Sequence, residues 1–441
     1  MCITKPYWIG TAAYLLFTLS NPGFAADIVA LETELSPREQ QMLNWVDARR
    51  EQLMVELTEH VSVNTGTDNL PGIDRYREML AKDLRDLGFA TRNSPAGPLP
   101  VLTCDGGSVS VADNLVATRK GNSPRRILLN GHMDTVFSAG DDFQALSVDP
   151  DGTLHGPGVS DMKGGIVVML NALRALSAAG YLDEANITVL FNSDEEIGSL
   201  GSRELIEELA GQHDIGLVFE GTRENRMTRS RKGLGQVRLK VTGRESHAGA
   251  AHEQGVSANL GLAHQVVAIE QLTDYDRGVT VNVGVMAGGK KRNTIPGCAD
   301  AYVDLRYPTL SDGEYLLGAI DDIVAETYIE NPNYPGVPTT EVWGVLHRPV
   351  KEINPEVDAM IAEAMGLSQL IGEPIVGSTY SGGGTDGSIA QAVGLPTVDS
   401  LGVNGSGAHS SREKTSLQSL VARTKLAAVI IARQIQWQGE P

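Results

Sequence analysis

At 441 residues and 41% hydrophobic content the chain can bury substantial cores, and its length favours two or three domains. A formal net charge of -19 argues against non-specific nucleic-acid binding, which needs a positive surface, so no nucleic-acid partner is expected. Of the three cysteines, Cys2 falls in a segment expected to be removed, while Cys104 and Cys298 sit in different regions, and no disulfide framework is expected.

After Lys5 comes the apolar run "YWIGTAAYLLFTL" and then "SNPGFAAD", with small residues at the spacing a signal peptidase accepts. Residues 1–25 therefore read as a signal peptide, the run being short for a spanning helix, and the mature protein as periplasmic or secreted. No later segment is apolar for long enough to span a bilayer, so no membrane association is expected after cleavage.

From about Leu35 to Gly88 the apolar spacing is helical. Strands and helices then alternate: "RRILLNGHMDTV", "DMKGGIVVMLNALRALSAAG", "ANITVLFNSDEE", "GSRELIEELA" and "DIGLVFEG". That rhythm predicts βαβ units, a mostly parallel central sheet covered by helices and an α/β fold class. After "RENRMTRSRKG" the order becomes βαββαβ, that of a ferredoxin-like α+β domain, and the first pattern resumes at "NPEVDAMIAEAMG". We read a catalytic domain in two parts, residues 26–231 and 347–441, interrupted by an inserted domain over residues 232–346.

In open parallel sheets, ligands collect outside the carboxyl ends of strands. His132 and Asp134 end one predicted strand, Glu195 and Glu196 follow another and Glu220 a third, with His409 in the loop "NGSGAHSS". Imidazoles and carboxylates without thiolates suit a hard or borderline metal ion. Residues two apart on an extended segment face the same way, so Asp134 can reach the ring of His132 and fix its tautomer. Adjacent Glu195 and Glu196 point in different directions, which suits one metal ligand and one general base. Asp161, at the loop-to-helix junction of "GPGVSDMKGG", reads on local grounds alone as a helix cap.

The ordered set "GHMDTV", "GPGVSDMKGG", "NSDEEIGSLGS", "FEG", "TGRESHAGA", "GGKKRNTIPG", "SGGGTDGS" and "GSGAHSS" resembles the M20 zinc peptidases, nearest to the glutamate carboxypeptidases among them. The resemblance spans nearly all the chain after the signal segment. It implies two zinc ions per subunit, with Asp161 bridging both, His132 and Glu220 completing one site, and Glu196 and His409 the other. It further implies Glu195 as general base, Asp134 orienting His132, a cis peptide after Asp161, and an inserted lid that makes a homodimer and presents His247 to the partner's site. Asn293 and Arg306 match substrate contacts, Arg348 is a second possible partner for a substrate carboxylate, and Gly383 and Gly384 would line the cleft.

The function expected is zinc-dependent hydrolysis of the amide bond to a C-terminal amino acid, glutamate by resemblance, in small peptides or N-acyl amino acids, folate-like compounds among them. An aminoacylase or dipeptidase is the alternative within the family. A metal-dependent binding protein without turnover is the alternative outside it.

Overall fold

A computed structural model describes residues 28–438 apart from 97, 98, 101 and 327, so the expected signal peptide lies outside the described residues. Among the described residues no helix is long and apolar enough to cross a membrane.

The helical spacing of the first segment becomes the helices Pro37–Asp47, Arg50–Ser62 and Leu70–Asp86. A six-stranded sheet follows, in the spatial order Ala90–Ser94, Asn114–Arg119, Asn186–Asn192, Arg126–His132, Ile215–Val218, Thr397–Val398. Only Asn114–Arg119 runs against the rest. The sheet is thus mixed but mostly parallel, and the two strands outside the predicted alternation, Ala90–Ser94 and Asn114–Arg119, form its antiparallel edge.

Alternation along the strands explains why both faces are covered. In Arg126–His132, Ile127 and Leu129 enter the larger core beneath the helices Arg50–Ser62, Lys163–Ala178 and Leu417–Gln436, whereas Leu128 enters a smaller core with Ile206, Leu209 and Ile389. Successive side chains on a strand point to opposite faces, so apolar residues in succession require cover on both sides.

A second, four-stranded antiparallel sheet has the order Thr280–Gly288, Cys298–Tyr307, Gly233–Thr242, Thr339–Arg348, with the helices Ala258–Glu270 and Leu310–Ala325 between its strands in the chain. Its core, centred on Val237, Leu262, Val303 and Leu316, shares no residue with the cores of the main sheet. Where the chain enters and leaves this unit, Arg231 and Lys351 exchange backbone hydrogen bonds of 3.0 and 3.1 Å. One expectation fails here: Cys104 and Cys298 form a disulfide across a sequence separation of 194. Their distance in sequence says nothing about proximity, because a short hairpin, Leu99–Pro100 with Ser108–Val109, carries Cys104 to the start of a strand in the second sheet.

Candidate metal centre

The three central parallel strands deliver their acids and His132 to one edge of the main sheet. His132 is the last residue of its strand, Glu195 and Glu196 form a 3₁₀ turn just beyond Asn192, and Glu220 lies just beyond Val218. Asp161 comes from the loop before the helix Lys163–Ala178, and its peptide to Met162 is cis. Glycines make this approach possible: a Cβ on Gly165 would stand 1.9 Å from the carbonyl oxygen of Phe219, so only glycine lets the helix start press against the strand end that carries Glu220. The helix takes Met162 as its N-cap with no side-chain bond, so Asp161 is not a cap and its carboxylate is free for other contacts.

Those contacts run to two histidines. Asp161 Oδ1 lies 3.2 Å from His132 Nε2, and Oδ2 lies 3.2 Å from His409 Nε2. His132 Nε2 also lies 3.6 Å from Glu220 Oε1, and His409 Nε2 lies 3.0 Å from Glu196 Oε2. The polar contacts therefore divide five side chains into two sets that share Asp161. Ligand atoms of His132, Asp161 and Glu196, and those of His132, Glu195 and Glu220, fall within 4.8 Å of one another.

The electrostatics of this corner call for cations. Burial first, and the charge of Asp161 second, push Glu196 up to about 8, and burial drives Glu220 well above the ordinary carboxylate range. Against its own burial, Asp161 is held low by hydrogen bonds from His132 and His409. The same contacts with Asp161 and Glu196 lift His409 to about 11. Glu196 Oε1 is buried with no hydrogen-bond partner among the described residues. Crowded carboxylates and an orphaned ligand atom around two imidazoles fit divalent metal ions.

Around the cluster, other groups fix its acids. His132 Nδ1 lies 3.0 Å from the Asp134 carbonyl oxygen and 3.4 Å from Oδ1, so a proton on Nδ1 leaves Nε2 facing Asp161. The fully buried Asp134 carboxylate also accepts from the backbone amides of Glu195 and Glu196, both at 3.2 Å, and from Thr67 Oγ1 at 2.9 Å. It thus holds the Glu195–Glu196 turn as well as the ring of His132.

Arg348 lines the cavity over the cluster, and its guanidinium is already engaged by the protein's own acids. It is 1% exposed, and Nη2 donates to Glu195 Oε1 at 2.6 Å while Nη1 donates to the Gly198 carbonyl at 3.2 Å and pairs with Asp386 at 3.1 Å. Those contacts fix the position of the Glu195 carboxylate at the cavity wall.

A cavity of about 910 Å³ opens over the cluster, and its walls include Asp161, Glu195, Arg306, Gly383 and Gly384. Arg306 is one-third exposed and already bonds Asp304 through Nε and Nη2, at 2.7 and 2.9 Å. His247 lies on a small ribbon of the second sheet's unit and Asn293 in the turn leading into its partner strand; both are exposed and are not part of the cavity wall. Two further cations escaped sequence reasoning: Arg223 and Arg226 line the cavity, and among the described residues neither is ion-paired. So did Glu413, which underlies the Asp161 loop. In sequence these arginines belong to an irregular charged stretch, "TRENRMTRSRK", with no periodicity to single them out.

Residues 128–433 match the pattern of peptidase family M20/M25/M40. The chain belongs to this family. Carboxypeptidase G2 of Pseudomonas sp. (strain RS-16) is 32% identical over 378 residues, 84% of this chain and 86% of the relative. Acetylornithine deacetylase of Myxococcus xanthus is 34% identical over 207 residues, 44% of this chain and 53% of the relative. Among solved structures, a dipeptidase of Saccharomyces cerevisiae has a TM-score of 0.71 at 16% identity, with 91% of this chain and 99% of that chain covered. A Staphylococcus aureus tripeptidase has a TM-score of 0.67 at 23% identity, covering 88% and 99%. This M20 hydrolase thus shares the family's α/β fold with its separate antiparallel sheet, and the family implies metal ions and peptide-like substrates.

Proposed function

We propose that the protein is a two-zinc carboxypeptidase that removes a C-terminal glutamate from N-acyl or short peptide substrates. The observation that carries this reading is Asp161, whose two oxygens face different histidines, each accompanied by its own glutamate, with Glu195 beside them at the cavity wall. His132, Asp161 and Glu220 would hold one ion, and Glu196, Asp161 and His409 the other. Bound there, such ions would polarise the scissile carbonyl and make water acidic enough to lose a proton near neutral pH.

Glu195 then acts as general base and acid. It takes the proton from the attacking water and returns it to the leaving amine nitrogen, while Arg348 keeps its carboxylate aimed at the cavity. Arg223 and Arg226, which line the cavity together with Glu224 and the paired Asp304 and Arg306, offer guanidinium groups suited to the carboxylates of a C-terminal glutamate, and the likeness to carboxypeptidase G2 supports that class.

The inserted unit, residues 232–346, is proposed as a ferredoxin-like lid that pairs two subunits. Among the described residues its outer strand Thr280–Gly288 pairs along one edge only, and it exposes Val285 and Met286. Nδ1 of His247 accepts from the amides of Gly249 and Ala250, at 3.1 and 3.0 Å, so its proton sits on Nε2 and points outward as a donor suited to an oxyanion in the partner's site. Asn293, whose carbonyl accepts from the amide of Ala248 next to His247, would contact the same substrate. Export to the periplasm or beyond follows from the leader-like first residues.

The test is a panel of N-acyl-glutamate, N-acyl-aspartate, N-acyl-alanine and folate-like compounds with the zinc-loaded protein. Free glutamate should be released fastest, and Glu195→Gln should lower kcat by roughly 10²–10⁴-fold with metal content unchanged. No turnover across the panel refutes an amidohydrolase, and preference for the alanine compound refutes the acidic specificity.

A further inference from the structure

The loop that carries His409 also reaches the far side of Asp161. Its mouth is closed by two backbone bonds between Ser406 and Lys414, of 3.0 and 2.9 Å, and Glu413 is turned inward by a bond from its amide to the Ser410 carbonyl at 3.0 Å. The Glu413 side chain is fully buried. Its Oε1 accepts from the amides of Ser160 and Asp161, both at 2.8 Å, and its Oε2 accepts from the amide of Gly158 at 3.1 Å. One carboxylate therefore satisfies three amides of the loop that delivers Asp161, a loop that turns through Gly158 at a φ of 77°. A Cβ on Gly405 would stand 2.3 Å from Ser160 Oγ, so the two loops touch directly as well.

Asp161 is thus gripped from both ends by one loop: His409 meets its carboxylate, and Glu413 holds its backbone. We propose that Glu413 is a positioning residue that fixes Asp161 against His409, so that one carboxylate can be shared between two metal ions. The inference rests on the two-ion reading of the site. Glu413 itself neither lines the cavity nor belongs to the groups placed to hold a metal ion among the described residues. Its effect is to convert two segments some 250 residues apart into one rigid mount, so that a shift of the Asp161 loop would leave three buried amides without acceptors.

The experiment titrates metal-free wild type and the variants Glu413→Ala, Glu413→Asp and Glu413→Gln with zinc ions by calorimetry, and repeats the titration with cobalt(II) to read the absorption of each site. Wild type should bind two equivalents. In Glu413→Ala and Glu413→Asp, the latter too short to reach all three amides, the weaker equivalent should lose roughly 10–100-fold in affinity, as for other residues that orient metal ligands. Glu413→Gln should recover most of that loss, because its carboxamide oxygen can still accept from Ser160 and Asp161. A purely structural role would lower the unfolding temperature of the metal-free protein yet leave both affinities intact. Two equivalents bound by Glu413→Ala or Glu413→Asp with wild-type affinity overturn the proposal, and if Glu413→Ala does not fold, Glu413→Asp decides. Fewer than two equivalents in wild type overturn the two-ion reading, a separate failure.

Discussion

The Cys104–Cys298 disulfide ties a hairpin beside the main sheet to the first residue of a strand in the second sheet, where the Cys104 amide also lies 3.4 Å from Asp300 Oδ1. Closing a loop across a sequence separation of 194 removes chain entropy from the unfolded state worth about 5 kcal/mol, and measured native disulfides contribute about 2–5 kcal/mol. The double variant Cys104→Ser/Cys298→Ser should therefore unfold at lower guanidinium concentration than the oxidised protein, by about 2–5 kcal/mol at constant zinc. Thiol titration of the oxidised, denatured protein should find neither cysteine free. A double variant as stable as the oxidised protein refutes the loop-closure reasoning, and two titratable thiols refute the bond itself. Such bonds persist in oxidising compartments, which agrees with the proposed export.

Three other outcomes follow from single contacts. Arg348→Met leaves the buried Asp386 and the part-buried Glu195 without their shared cation and should cost about 3–5 kcal/mol of stability, measured by denaturant unfolding, whereas a free substrate-binding arginine would change KM alone. Arg223→Ala combined with Arg226→Ala should raise KM for an N-acyl-glutamate about tenfold or more and leave N-acyl-alanine unaffected; equal effects on both substrates would remove these arginines from acid recognition. His60 is fully buried, and burial lowers its pKa from 6.5 to about 3, so the folded protein stays neutral there while the unfolded chain takes up a proton below 6.5. Its stabilising contribution is complete above that pH and is lost on acidification towards 3, so wild type should lose about 2 kcal/mol more than His60→Gln between pH 7 and 5 by urea unfolding.

What the sequence disclosed is what strand geometry disclosed. His132, Glu195, Glu196 and Glu220 are legible because parallel strands must end together at one edge, and each follows an apolar run whose end can be read. Asp161 is different: local chemistry favours a cap, a role the structure does not give it because the helix has no side-chain capping bond, and only the ordered motifs gave it another. The two glycines of "KGG" look like helix weaknesses in sequence. Gly165 has its reason 54 residues away, in the Phe219 carbonyl that a Cβ would strike.

The residues that hold the site were the least legible, and the reason is distance. Arg348 stands 153 residues from Glu195 and Glu413 stands 252 from Asp161, so no spacing rule connects holder and held. An arginine in "HRPV" has the same local sequence whether it faces a ligand or a buried carboxylate. Burial and the partner decide between those roles, and both arise only once the chain has folded. Asp134 is the instructive exception. Its two-residue spacing from His132 made it visible as a partner of that ring, yet its carboxylate also accepts from the amides of Glu195 and Glu196. Three acids of the candidate centre therefore have anchors in other elements: Asp134 for the Glu195–Glu196 turn, Arg348 for the Glu195 side chain and Glu413 for Asp161. Loosening Glu413 should therefore disturb Asp161, and with it metal affinity, whereas loosening Arg348 should disturb Glu195, and with it kcat.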